Sequence, residues 1–325
     1  MPVRRVVPGL PPWTLAVAAM LLIELASALS VSLFDLVGAN GTAWLRTAFG
    51  TTLLWIIAPP DLKSLRRKDV PTLIALGVVT GTMSMFFLGA IERIPLGTAV
   101  AIEFMGPLIV AGVTSNKRSA LIWPVLAFAG VLLLTEPWEG QMNLPGIAYA
   151  VGAGTCWAVY NLLTQRVGDR FSGVTGLSLT LPVATLTIMP FGLPQVISGT
   201  FTWWLLPAAL GIAMISPMIG LGLEMLALHR MTQTAFGTLQ SVEPAFALLI
   251  GLVVLGQFPT WLQLLGIATV VVAGAAAQRG GTRTTVSADT EVLLPPESLD
   301  ENEGGAHAQD AEDTADAADV ESARP

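Results

Sequence analysis

Charge is scarce in this sequence. Asp, Glu, Lys and Arg make up 12% of its 325 residues, where a soluble domain carries about 25%. That shortage excludes an ordinary water-facing globule. Cysteine is reduced to Cys156, so one chain can form neither a disulfide framework nor a cysteine metal site. Histidine is reduced to His229 and His307. A catalytic triad or a zinc site needs more than this, so neither an enzyme, a metal nor a cofactor is expected. Nothing points to nucleic acid.

Apolar sequence fills the space that charge leaves. Hydrophobic residues reach 53% and the mean hydropathy is +0.68. The net charge of −7 is unevenly spread. From Thr282 onward there are twelve acids and two arginines, so the remainder is slightly basic. Residues 282–325 cannot bury enough apolar surface to fold and read as a disordered acidic tail.

Ten apolar runs precede that tail. They cover about 13–33, 40–58, 71–91, 95–113, 119–135, 144–165, 173–196, 203–227, 233–256 and 260–278. Near 20 residues each, they have the length of membrane-spanning helices rather than barrel strands. The first follows Arg4 and Arg5 and contains a cleavage-like Ala26-Ser27-Ala28. It exceeds the length of a signal-peptide core and is expected to be retained. The expected fold is an all-α membrane protein of ten helices in two five-helix halves, 13–135 and 144–278. Residues 1–12 form a short cytoplasmic start.

Basic residues set the expected orientation. With the N-terminus inside, the inner connections collect thirteen bases, among them Arg4, Lys63, Arg118, Arg166 and Arg230. The outer connections collect only Arg93, beside Glu92, Glu136 and Glu139. Both termini are then cytoplasmic. An odd number of helices per half makes the halves enter the membrane in opposite directions.

One stretch occurs twice. Residues 90–107 read AIERIPLGTAVAIEFMGP, and residues 227–244 read ALHRMTQTAFGTLQSVEP. Aligned without a gap, Arg93 meets Arg230, Glu103 meets Gln240 and Pro107 meets Pro244. Each copy reads as a basic turn and a hydrophobic helix broken by proline, the pattern of an inverted-repeat transporter.

Five ionisable side chains lie within the runs: Glu24, Arg46, Glu103, Glu224 and Glu243. A lone charge at the bilayer centre costs about 3 kcal/mol or more, so each must face the bundle interior. Arg46 is the one base among them, and a glutamate is its expected partner. Its planar fork suits a carboxylate ligand. Pro107 and Pro244 lack an N–H, which frees the carbonyls of Glu103 and Gln240. Those oxygens could accept from an ammonium group. Glu224, near the expected cytoplasmic end, is the least favoured of the acids. Trp157 and Tyr160 sit mid-run, where such aromatics either fill a core or line a pocket. Small residues at Gly77-xxx-Gly81 and Gly237-xxx-Ser241-xxx-Ala245 mark close helix approaches.

Residues 90–108, 156–160 (CWAVY) and 236–245 (FGTLQSVEPA) carry a family resemblance. Over about residues 12–278 the chain resembles the EamA-type drug/metabolite transporter superfamily and, within it, the threonine/homoserine exporter family. The resemblance implies a proton-coupled inner-membrane exporter of small amino acids, with protons and the lipid bilayer as partners and a homodimer admissible. Gly256-Gln257 stands where that family commonly has Gly-Glu. Two other functions stay open on the sequence: efflux of lipophilic cations, and a membrane scaffold or receptor acting through the acidic tail.

Overall fold

Backbone polar groups have no partner in lipid, so an apolar chain must satisfy them within helices. The computed structural model describes residues 11–60, 65–114, 118–139, 142–168, 173–231 and 233–280, and no strand occurs among them. Residues 1–10, Lys63, Lys117, Arg170 and the acidic segment 282–325 lie outside the described residues.

The helices are α1 (Pro12–Val31), α2 (Phe34–Ile57), α3 (Val70–Ile91), α4 (Leu96–Thr114), α5 (Ile122–Thr135), α6 (Leu144–Gly168) and α7 (Gly173–Ser198). Then follow α8 (Leu205–Ala213), α9 (Leu221–Arg230), α10 (Gln233–Gln240), α11 (Glu243–Leu255) and α12 (Trp261–Gly280). A π-helical segment, Met214–Gly220, joins α8 to α9. Among the described residues, six stretches are long and apolar enough to cross a membrane: Pro12–Val31, Val70–Ile91, Thr175–Ser198, Leu205–Glu224, Ala235–Leu255 and Trp261–Gln278. Large apolar side chains such as Ile56, Val125, Ile197 and Val253 are exposed on the outside, as lipid contact requires.

Packing pairs distant helices. α3 lies on α6, while α9 lies on α1. α2 packs on α7, and α5 on α12. Thr51 and Thr185 share a hydrogen bond of 2.9 Å across the α2–α7 contact. Trp55 Nε1 donates to the Ser178 carbonyl there at 2.8 Å. Many buried hydroxyls are satisfied locally. Ser30 donates to the Ala26 carbonyl and Thr47 to that of Ala43, the back-bonding that lets Ser and Thr sit inside apolar helices.

The small-residue expectation at Gly77 and Gly81 is met. A Cβ on Gly77 would lie 2.4 Å from Val183 Cβ, and one on Gly81 2.7 Å from the Ala184 carbonyl oxygen. The tightest approach is elsewhere: a Cβ on Gly106 would lie 1.9 Å from the carbonyl oxygen of Gly154. α4 and α6 therefore touch backbone to backbone beside Glu103.

Under the single label α2, Gly38 is non-helical at φ 68° and ψ 171°, so a short helical segment from Phe34 precedes it and the main helix begins just after it, near the expected residue 40. One helix differs from the sequence expectation. Pro107 was expected to break its helix, but α4 runs through it. Proline removes one hydrogen bond, and the α4–α6 contact holds the helix together around the gap.

Candidate functional site

The duplicated stretch folds alike at its start. Arg93 follows the end of α3 and Arg230 ends α9, each just before the next helix. The copies then part. α4 continues, whereas α10 stops at Gln240 and α11 begins at Glu243. Pro244 thus occupies the first turn of a new helix, where a missing N–H does no harm. This is the expected break, shifted so that the proline starts α11 rather than kinking it. Glu243 stands at the positive end of α11, where a carboxylate is favoured.

That break opens onto a cavity of about 200 Å³. Its lining includes Arg46, Glu103, Gln240, Glu243, Glu24, Trp157 and Tyr160, so every polar and aromatic position singled out in the sequence meets there. Pro107 and Pro244 are not part of the lining. Glu224 does line it, with Thr80, Ser84, Ser216 and Pro217. α5 and α12 contribute nothing to the wall.

Arg46 is held differently from expectation. Its Nη2 donates to Ser84 Oγ on α3 at 2.8 Å. Glu103 and Glu24 are its electrostatic neighbours, yet neither forms an ion pair with it. The one ion pair among the described residues is Arg93–Glu92. A hydroxyl uses a single guanidinium donor, which leaves most of the fork uncommitted. The hydroxyl of Ser84 itself donates nothing that would neutralise the charge.

The carboxylates are also uncommitted. Glu24 is 2% exposed and Glu243 8%, and the Oε2 atom of each is buried without a hydrogen-bond partner. Such a group is unfavourable unless a cation, a donor or a proton reaches it. The lining thus holds a half-used guanidinium and two unsatisfied carboxylates.

The carbonyl freed by Pro107 does not serve this space. A Cβ on Gly154 would meet the Glu103 carbonyl oxygen at 2.6 Å, so that oxygen faces the α4–α6 crossing. Trp157 makes an edge contact with Phe104, at 5.9 Å between ring centres and 61°, and serves core and cavity together.

Comparison with known proteins follows the same lines. A model of the EamA-like transporter family matches residues 144–276. The threonine/homoserine exporter RhtA of Escherichia coli K12 is 37% identical over 276 residues, which cover 84% of this chain and 92% of that protein. The chain belongs to the EamA-like transporter family. RhtA of Salmonella typhimurium LT2 is 38% identical over 269 residues, 82% of this chain and 89% of that protein. The pseudopaline exporter CntI of Pseudomonas aeruginosa UCBPP-PA14 is 24% identical over 212 residues, 61% and 72% respectively. A solved crystal structure superposes with a TM-score of 0.54 at 16% identity, covering 82% of this chain and 98% of that one, a likeness of fold. The protein is accordingly a multi-pass inner-membrane transporter of small molecules, and not an enzyme.

Gln257, where the family resemblance implies a glutamate, lies away from the cavity wall. Its Oε1 accepts from the Leu96 N–H at 3.0 Å and caps the start of α4. The residues that sequence reasoning missed are Ser84 and the π-helical Ser216-Pro217. The signals were present but weak: a serine four positions after Thr80, and a proline within an apolar run.

Proposed function

We propose that this transporter exports small amino acids of the threonine/homoserine kind by alternating access, in exchange for protons. The observation that carries the proposal is the pairing, in one small cavity, of Arg46 with the unsatisfied carboxylates of Glu24 and Glu243. A zwitterion answers both. Its carboxylate takes the free donors of Arg46, which Ser84 orients, and its ammonium takes Glu24 and Glu243. Glu103, next to Arg46, is the proton carrier, together with whichever glutamate the departing ammonium leaves exposed. Gln240 and Tyr160 supply polar contacts and Trp157 an apolar wall. The printed names of the RhtA relatives favour the same substrates.

The architecture proposed for this cycle is ten spans in two inverted repeats, with both termini cytoplasmic. It is supported by the exchanged packing, since α1 meets α9 as α6 meets α3. It is supported also by the cavity wall, where Glu103 and Gln240 are the matched positions of the repeat. The discontinuous α10–α11 supplies helix ends at the site, as transporters commonly do.

Efflux of lipophilic cations is the second reading, favoured by Met83, Phe87 and Trp157 on the wall. A volume near 200 Å³ is below the roughly 300–1,000 Å³ of sites for drug-sized ligands, and such cargo has no use for Arg46. Uptake into inverted membrane vesicles, acid inside, separates the two. Labelled threonine should accumulate and a protonophore should abolish the accumulation. Accumulation of a quaternary ammonium instead of threonine would overturn the proposal.

A further inference from the structure

We infer that the break between α10 and α11, together with Glu24 of α1, forms a site for a monovalent metal cation of sodium's size, which sodium and the substrate's α-ammonium occupy in turn. The alternation with substrate rests on the amino-acid reading above; the cation site does not.

The broken helix supplies acceptors. In a continuous helix the carbonyls of Gln240 and Ser241 would accept from residues 244 and 245. Pro244 has no N–H to give. The Ala245 N–H donates instead to the Val242 carbonyl at 2.9 Å, and the Phe246 N–H donates to the same oxygen at 3.2 Å. Both carbonyls are left without a helical partner where α10 ends. The C-terminal end of a helix favours positive charge. Gln240 and Glu243, on either side of the break, line the cavity.

Glu24 reaches this place from α1, which packs on both α10 and α11. Met20, one turn before Glu24, shares an apolar cluster with Leu239 and Phe246, which flank the break. Glu24 and Glu243 are both buried, and the Oε2 atom of each lacks a hydrogen-bond partner. No ion pair reaches either carboxylate among the described residues. Ser27 lines the same cavity. Its hydroxyl donates to the Ile23 carbonyl at 2.9 Å, so its lone pairs stay free to accept.

Carboxylates, carbonyls and hydroxyls are ligands for hard cations. Unwound helices in transporters offer such oxygens to sodium. A single charge suits the site better than two. Arg46 stands in the same cavity and opposes a divalent ion, and the ammonium that replaces the ion is itself monovalent. Without substrate, two buried carboxylates with no counter-charge are unfavourable, and a bound sodium ion removes that cost.

The test measures equilibrium binding of labelled sodium to the purified full-length protein, free of amino acid, in mildly alkaline buffer. Sodium should bind saturably, and choline at equal ionic strength should not displace it. Displacement by calcium at a lower concentration than by unlabelled sodium overturns the monovalent assignment. Glu24→Gln and Glu243→Gln should each weaken sodium binding at least about tenfold, because the affinity of oxygen sites follows their count of charged ligands. Glu92→Gln, outside the cavity lining, should bind as the wild type does. Absence of saturable sodium binding in the wild type, or full binding in either glutamine variant, overturns the site. Labelled threonine on the same wild-type sample tests the alternation even where the variants do not fold. Threonine should bind as sodium leaves. Threonine bound with sodium retained overturns the shared site. Saturable sodium binding with no threonine binding overturns the amino-acid reading and leaves the cation site standing.

Discussion

Glu103 and Gln240, matched when residues 90–107 are aligned with 227–244, face the same cavity. One is an acid on an unbroken helix, and the other is an amide at the end of a broken one. The two aligned stretches thus meet at one cavity with chemically different walls. A zwitterionic cargo needs that difference, since its two ends carry opposite charge.

Ser84 positions Arg46, and its removal should weaken the site without dismantling it. A net hydrogen bond to a charged group contributes about 1.5–3 kcal/mol. Ser84→Ala should therefore raise the half-saturating threonine concentration by about ten- to a hundredfold, with normal membrane insertion. Ser84→Thr, which keeps the hydroxyl, should restore most of the affinity. Concentration-dependent uptake in inverted vesicles checks this, and an unchanged value for Ser84→Ala would remove Ser84 from the site.

Gly106 should be intolerant of a single methyl group. A Cβ there would lie 1.9 Å from the Gly154 carbonyl oxygen, whereas one on Gly211 or Gly222 would meet nothing within 4 Å. Gly106→Ala should lower the thermal midpoint of the purified protein by several degrees or abolish its accumulation. Gly211→Ala should be neutral or slightly stabilising, as alanine suits a helix better. Equal midpoints for the two variants would contradict the backbone contact between α4 and α6.

Much of this arrangement is legible in the sequence. Glu24, Arg46, Glu103 and Glu243 stand out because charges in apolar runs must turn inward, and one cavity receives them all. Helix ends are legible where turns and charges punctuate, as at Glu92-Arg93 and Pro259-Thr260. The hydrogen bond from Arg46 to Ser84 is not legible, because it depends on how α2 lies against α3. Pro107 misleads, since a proline's local penalty is outweighed by the packing of α4 on α6. The π-helical segment at Pro217 escapes notice because its sequence is as apolar as its neighbours. Glu224 was placed by its nearness to a span end, which says nothing about the depth of a cavity.

Gln257 should accept the charge that the family resemblance implies at this position. Its Oε1 caps the Leu96 N–H, at a helix start where a carboxylate adds about 0.3–1 kcal/mol. Gln257→Glu should keep or slightly raise the thermal midpoint, and Gln257→Leu should lower it. A lower midpoint for Gln257→Glu would show that the cap requires a neutral amide.

The proposed orientation rests on the basic residues and is tested by labelling single cysteines in a Cys156→Ala background. In intact cells, Arg93→Cys should react with a membrane-impermeant maleimide. Lys63→Cys and Arg166→Cys should react only after the membrane is opened. Labelling of Arg166→Cys from outside would break the arrangement of five spans in each half.

The most direct test of zwitterion binding replaces the fork of Arg46 by a point charge. In counterflow of labelled threonine, at equal amounts of reconstituted protein, Arg46→Lys should lose at least about tenfold in rate, because an ammonium cannot hold a carboxylate bidentately. Glu24→Gln and Glu243→Gln should each lose exchange as well, since each removes an acceptor for the α-ammonium. Full exchange in Arg46→Lys together with either glutamine variant would contradict the assignment of this cavity as the amino-acid site.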